Sequence, residues 1–335
     1  MSITFKDVAR EAGVCIATVS RAFNEPHRVT EAKRKAIYAA AEKLNYSPNA
    51  LAKGLVTRSS CTIGVLVPDV DNLFYPCVIK GIDTACFEHH YLSSVANTYN
   101  SVDLEKHYIQ LLESQRVDGF IFVGTRSARE EDSLHIARLA KRVPVVMVYS
   151  NLSDMGVCSI VTDDVSGAAK AVRYLYDRGH RRIGLVSSGV NHLTYREKQQ
   201  GYEKALAELG LPLRQDYIFR GEPYTAGGYA CMEEMCGRFA PGERPTALVA
   251  VSDQMAMGVW RYCSLHRIRI PQDLELVGYS GTTFTRELLP ELVTVDQQPD
   301  HLGRLAVNTL LAMKNGEGPQ AKSIVFEPKM LGVEE

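Results

Sequence analysis

The sequence predicts a small all-α module in front of a larger, doubly wound α/β body, and three observations carry that prediction. Residues 6 to 24, KDVAREAGVCIATVSRAFN, hold two apolar groups at helical spacing: Val8, Ala9 and Ala12, then Ile16, Val19, Ala22 and Phe23, with Gly13 between them. From Cys61 onward, short β-branched runs alternate with amphipathic helical stretches, the pattern of parallel strands joined by helical crossovers. Charge divides at the same place. Residues 1 to 58 carry ten Lys/Arg against five Asp/Glu, leaving 28 against 34 in the remainder of a 335-residue chain whose net charge is −1. A basic small unit on an acidic large one points to a polyanion as partner of the first alone.

Composition excludes several classes. No apolar run reaches membrane-spanning length, and Met1-Ser2-Ile3-Thr4 lacks the basic-then-apolar stretch of a secretory signal, so no membrane partner is predicted and the expected compartment is the cytoplasm. Cys15, Cys61, Cys77, Cys86, Cys158, Cys231, Cys236 and Cys263 are scattered without a C-x-x-C pair or metal spacing. They read as reduced small hydrophobes, with no metal or cofactor implied.

Thr4 followed by Asp7 has the form of a capping box, which starts a first helix at Phe5 and lets it end near Gly13. A second helix is predicted from about Ile16 to Asn24. The two pack across each other with Ile16, Ala17, Ser20 and Arg21 outward, a helix-turn-helix. In TEAKRKAIYAAAEKLNY, Thr30 stands at the start of a third helix whose buried stripe is Ile37, Ala40, Ala41 and Leu44. A plain helical hairpin would share this periodicity; the next segment separates the two readings. In SPNALAKGLVTRSS, one short turn from Asn49 to Leu55 follows Pro48, with Leu51 and Leu55 on one face, too brief to fold unaided.

Through T-x-x-D-V-A-x-x-A-G-V, A-T-V-S-R, N-Y-x-P-N-A-L-A and Leu55, residues 1 to 58 resemble the DNA-binding headpiece of the LacI/GalR family of bacterial repressors, and a sparser likeness continues to the C-terminus. The resemblance implies double-stranded, near-palindromic operator DNA and a homodimer. It places Ile16, Ala17 and Arg21 at base-reading positions in a major groove, and Thr4, Thr18, Ser20, Asn24 and Arg28 on the backbone. Asn49, Ala52 and Leu55 fall in a hinge helix whose leucine wedges between base pairs from the minor groove. Two positions depart from the pattern. Cys15 stands where the family commonly has serine and is a poorer cap, and Gly54 weakens the hinge turn.

In the body, TIGVLVP, VDGFIFVG, PVVMVY, RRIGLVS, TALVAVS and LELVGYS read as buried parallel strands. Helices are expected around 163–179, 198–209, 225–238 and 253–267. The resemblance implies a two-lobed core like that of periplasmic sugar-binding proteins, with crossings near 160, 290 and 323. The divisions are then 1–46 for the headpiece, 47–60 for the hinge and linker, and 61–335 for the effector-binding and dimerisation domain. Within it, one lobe takes about 61–160 and 291–322, the other about 161–290 and 323–335.

Ligands in such sheets sit at strand C-terminal ends, and the resemblance directs attention to nine residues. Phe74 and Tyr75 stand where the family places aromatic rings, with hydrophobic packing as the other reading. Lys198 takes the place of a family arginine, with Arg196 two residues before it; lysine keeps the charge and loses the planar fork. Asp253 can cap a helix or face ligand, Ser280 replaces a frequent Asp, and Tyr149 stands where an acidic residue is frequent. Gln297 holds a polar crossover position, and Tyr224 lies near an aromatic wall. A sugar or sugar derivative is the expected effector; loss of acidic contacts moves the expectation toward an acidic sugar or a stacked purine-like ring. No G-x-G-x-x-G, P-loop or H-E-x-x-H is present, and GYSGT falls one residue short of a nucleophile elbow, so no enzyme is predicted. The alternative is a stand-alone solute-binding protein or α/β enzyme with an N-terminal assembly module.

Overall fold

The computed structural model describes residues 3–46, 59–127, 129–319 and 322–333, and the chain divides into two units, Met1–Ser60 and Cys61–Glu335. In the first, α1 (Phe5–Glu11) starts where predicted: the Thr4 N–H and hydroxyl both donate to Asp7 Oδ2, at 3.0 and 2.8 Å. Gly13 adopts φ 65° and turns the chain into α2 (Ile16–Asn24). After α3 (Glu31–Lys43), whose Thr30 stands at the N-cap without a side-chain cap bond, the Lys43 ammonium reaches back to Glu11 at 2.6 Å. Val8, Ala9, Val19, Ala22, Ile37, Ala40 and Ala41 form the core, and Phe5, Phe23, Tyr38 and Tyr46 close it with ring contacts. Three short helices hold one another through this core where none would persist alone.

The second unit has two lobes of alternating strands and helices. In chain order these are β1 (Thr62–Val67), α4 (Phe74–Glu88), β2 (Leu92–Asn97), α5 (Val102–Ser114), β3 (Gly119–Val123), α6 (Leu134–Ala140), β4 (Val145–Val148) and β5 (Cys158–Thr162). There follow α7 (Asp164–Asp177), β6 (Ile183–Ser188), α8 (Leu193–Glu208), β7 (Ile218–Gly221), α9 (Thr225–Arg238), β8 (Ala247–Ala250), α10 (Asp253–Leu265) and β9 (Glu275–Ser280). The chain finishes with α11 (Thr283–Leu288), β10 (Val293–Asp296), α12 (Pro299–Lys314), β11 (Ser323–Phe326) and β12 (Lys329–Leu331). The first sheet runs β11-β5-β4-β3-β1-β2, all parallel; the second runs β12-β10-β9-β8-β6-β7, parallel except for β12 against β10.

All six predicted strands form, buried along their length because helices cover both sheet faces. Ile63, Val65 and Val67 face α4 and α12, whereas Leu66 faces α5. The first of these layers is thin because two glycines let the helices touch: a Cβ on Gly81 would lie 2.0 Å from the Asp300 carbonyl oxygen, and one on Gly303 2.2 Å from that of Val78.

The three crossings fall later than expected. β10 belongs to the second sheet and β11 to the first, so the chain changes lobe after Thr162, after Asp296 and after Phe326. The proposed lobe limits at 291 and 323 are therefore displaced. In each case the run continues as a strand of the lobe it is leaving, because parallel pairing with β4, β9 and β5 in turn satisfies its backbone.

Candidate functional site

Two surfaces gather the residues singled out in the sequence. On the first unit, Val19 and Ala22 turn α2 inward, leaving Ala17, Arg21 and Ile16 exposed, the last at 49%. A half-exposed isoleucine leaves apolar surface on the same helix as the exposed Arg21 cation. Thr4 and Arg28 are also exposed, Arg28 paired with Glu25 at 2.8 Å, while Thr18 and Ser20 are half-buried. Cys15 stands at the N-cap of α2 without a cap bond; its sulfur meets the Thr18 hydroxyl at 3.1 Å. Asn49, Ala52 and Leu55 lie outside the described residues, as does the side chain of Asn24.

Between the lobes of the second unit, the structure brings Phe74, Tyr149, Lys198 and Gln297 together and fills the space with them. Lys198, on α8 and only 2% exposed, donates from Nζ to the Tyr149 hydroxyl and to the Val251 carbonyl, each at 3.0 Å, and lies 3.9 Å from the centre of the Tyr279 ring. Tyr149 follows β4 in the other lobe, with its ring 4.5 Å from Phe74 and its hydroxyl 3.4 Å from Gln297 Oε1. Gln297, fully buried at the second crossing, donates to Thr162 Oγ1 and Asp164 Oδ1, both at 2.9 Å. Tyr279 donates to the same carboxylate oxygen at 3.0 Å. The backbone is strained on both sides of this network: Tyr149 has φ 77°, Ser280 130° and Gln298 53°. Such conformations cost on the order of 1–3 kcal/mol each and persist where the surroundings over-determine them.

Burial governs the electrostatics. It pushes the Lys198 ammonium down from its ordinary pKa, opposed by the charges of Asp164, Asp253 and Glu197. It also pushes the Asp164 carboxyl up, opposed by Lys198, and the Tyr149 phenol well up. Glu197 is raised to about 6, first by desolvation and then by Asp164. Glu197 lines a cavity of about 230 Å³ beside the network, with Thr162, Asp163, Asp164 and Thr194.

The remaining candidates are placed differently. Asp253 neither caps α10 nor faces open space: Ser252 is the cap, accepting from the Met255 N–H at 3.2 Å. The buried Asp253 carboxylate instead receives the Thr282 N–H at 2.9 Å and the Thr294 hydroxyl at 2.6 Å. Ser280 is buried next to that tie, its carbonyl accepting from the Gln297 N–H at 3.3 Å. Arg196 is exposed, and Tyr75 is buried with its ring edge-on to Phe74. Tyr224 closes the cleft mouth by bonding Asp69 across it, as Gln254 does with the Leu73 N–H at 3.4 Å. Nearby, Arg126 donates to both oxygens of buried Glu105, at 2.8 and 3.0 Å, within a crevice that His192 lines from the opposite lobe.

Sequence reasoning passed over Asp164, Thr162 and Tyr279. Asp163-Asp164 at a helix start reads as a cap, which Asp163 is, accepting from the Ser166 N–H at 2.8 Å; nothing local marks the second carboxylate as the inward one.

Residues 4–49 match the family model described as bacterial regulatory proteins, lacI family, and residues 60–327 match that of periplasmic binding proteins and the sugar-binding domain of the LacI family. The chain belongs to the LacI family of bacterial regulatory proteins. Catabolite control protein A of Priestia megaterium is 34% identical to this LacI-family chain over 95% of it and 94% of the relative. The HTH-type transcriptional repressor PurR of Photorhabdus laumondii is 30% identical over 98% and 95%. A lac repressor dimer bound to operator and the anti-inducer ONPF superposes with a TM-score of 0.86 at 25% identity, covering 98% of each chain. The regulator CelR in complex with cellobiose superposes at 0.70 and 26%, covering 98% of each. Among the described residues of this family member, no cluster of three potential metal ligands occurs, and no helix is long and apolar enough to cross a membrane.

Proposed function

We propose that this protein is a sequence-specific, homodimeric DNA-binding regulator acting in the cytoplasm, a repressor of a carbohydrate catabolic operon. A small molecule, a sugar or sugar derivative bound between the lobes, would control it. The observation that carries the reading is the outward face of α2, where Ile16, Ala17 and Arg21 stand exposed on a unit with a net charge of +5 while Val19 and Ala22 anchor the helix behind them. Arg21 is suited to the paired acceptors of guanine and Ile16 to a thymine methyl. Thr4, Thr18, Ser20, Asn24 and Arg28 serve the phosphates, which fix register. Asn49, Ala52 and Leu55 act in the minor groove, and the leucine's unstacking is offset by wider contact with bent DNA.

The relatives support the reading: two are named as a repressor and a control protein, one neighbour was solved on operator and another with cellobiose. They also favour a regulator over an enzyme. Exposed apolar side chains support the dimer: Phe87 near the end of α4, Leu92 and Val95 on the edge strand β2, and Leu265, Phe284 and Leu288 in the other lobe.

The test is selection from random duplexes by the full-length protein, followed by salt titration. A palindromic consensus should emerge, with affinity falling about 10³–10⁵-fold between 50 and 200 mM salt if six to ten phosphates are contacted. Enrichment of no sequence, or equal binding to consensus and scrambled duplexes, overturns the proposal.

A further inference from the structure

The inter-lobe site already holds a cation. Lys198 Nζ meets one acceptor from each lobe, the Tyr149 hydroxyl and the Val251 carbonyl, and one aromatic face, that of Tyr279. No carboxylate oxygen lies within 4.0 Å of it among the described residues. Burial pushes its pKa down, and the charges of Asp164, Asp253 and Glu197 oppose that shift. A phenol oxygen, a carbonyl oxygen and a ring face together make a place suited to a positive charge, and an anion put there would face the Val251 carbonyl oxygen and the Tyr279 ring. We infer that Lys198 is a tethered occupant of the effector site, tying one lobe to the other, and that the place its ammonium fills favours an ammonium group over an acidic or phosphorylated one.

This deepens the reading that an effector enters between the lobes and rests on it. It also reverses the expectation drawn from the sequence, where replacement of acidic residues by Tyr149 and Ser280 moved the effector toward acidic sugars. Asp164 supplies from a neighbouring element a carboxyl group that those positions lack. A ligand entering here takes over three places: the hydroxyl of Tyr149, the carbonyl of Val251 and the face of Tyr279. Release of the first removes one tie between the lobes, since Tyr149 is the member of the network that comes from β4 and bonds both Lys198 and Gln297, while the Tyr224–Asp69 and Gln254–Leu73 contacts remain.

Removal of the tether tests the inference. Lys198→Ala leaves room for n-propylammonium, which matches the missing chain from Cγ to Nζ, with n-propanol and butyrate as neutral and anionic probes of similar size. Propylammonium should raise the melting temperature of Lys198→Ala by roughly 3 °C at ten times its dissociation constant, leave the wild type unmoved, and exceed both other probes. Equal shifts in both proteins, or butyrate acting as well as propylammonium, overturn it. Should Lys198→Ala fail to fold, Tyr149→Phe keeps the ring against Phe74 and removes only the hydroxyl. Acetic anhydride labelling followed by mass spectrometry then reports on Lys198, which should react at least about tenfold more slowly than exposed Lys204 in the wild type and lose most of that protection in Tyr149→Phe. Equal labelling of Lys198 and Lys204 in the wild type overturns the inference, as does unchanged protection in the variant. Duplex binding by the wild type in the same buffer separates the two readings. Amine selectivity without DNA binding sinks the regulator reading, whereas DNA binding with an unselective cleft sinks the tether alone.

Discussion

Replacing Glu105 by alanine strips the partner from a guanidinium that has little water to turn to. Arg126 donates to both Glu105 oxygens, to Ser133 Oγ at 3.3 Å and to the Asp132 carbonyl at 2.9 Å; the two charged side chains are only 14% and 7% exposed. At that burial, solvent screening is slight, and breaking one side of such a pair costs about 3–5 kcal/mol, mostly the cost of the orphaned charge. For a unit of this size the melting temperature should fall by roughly 6–15 °C. The assay is thermal unfolding followed by circular dichroism, with Arg126→Met/Glu105→Leu alongside; that apolar pair should regain most of the loss because no charge is left unpaired.

An acid titration adds a signed arm to the same test. Burial pushes the Glu105 carboxyl up, but the His135 hydrogen bond and the Arg126 charge outweigh it, so its pKa lies below the ordinary value. A carboxyl depressed in the folded state contributes stability above its unfolded pKa of about 4.3, and that stability drains away as pH falls through the folded value. The wild type should therefore lose stability more steeply below about pH 4 than Glu105→Gln does. A change in Glu105→Ala under about 1 kcal/mol, the scale of a surface pair, would refute the reasoning, as would a double variant no better than the single one.

Other perturbations follow from the same geometry. Asp253→Ala removes the acceptor of the Thr282 N–H and the Thr294 hydroxyl, so it should lower the unfolding free energy by about 2–4 kcal/mol in urea titrations without any ligand present. Gly303→Ala would force a methyl to within 2.2 Å of the Val78 carbonyl oxygen; an overpacking loss of about 1–3 kcal/mol should appear in the same titration. Arg21→Ala, on an exposed face, should leave the melting temperature within a degree or two yet reduce preference for the selected duplex over its single-guanine variants by about 1–3 kcal/mol, read by competition binding.

Much of the fold was legible because its signals are local. The capping pair Thr4 and Asp7, the left-handed Gly13, and runs such as TIGVLV announce their own conformations. β2, LSSVAN, carries no such run, since an edge strand buried on neither face needs none. The start of α8 at Leu193 was placed five residues late because LTYRE presents no apolar stripe. The site was legible as a set of positions and illegible as an arrangement. Lys198 could be seen to stand where a cation belongs; that its nitrogen would meet Tyr149, 49 positions away, and Val251, 53 positions away, depends on both sheets being complete. Asp253 shows the same limit, since the Thr294 hydroxyl that claims its carboxylate is 41 residues off.

The threefold passage of the chain between lobes governs how the molecule is made. The sheet that opens with Thr62 acquires its last parallel strand only at Ser323–Phe326, after every residue of the other sheet except β12 has been synthesised. On the ribosome, neither half can therefore mature and wait for its neighbour, as successive domains of a linear array do. Both must remain incomplete until β11 and β12 have emerged, and a nascent product released before then would carry the β5 flank without its partner strand, an adhesive edge that a finished copy does not display.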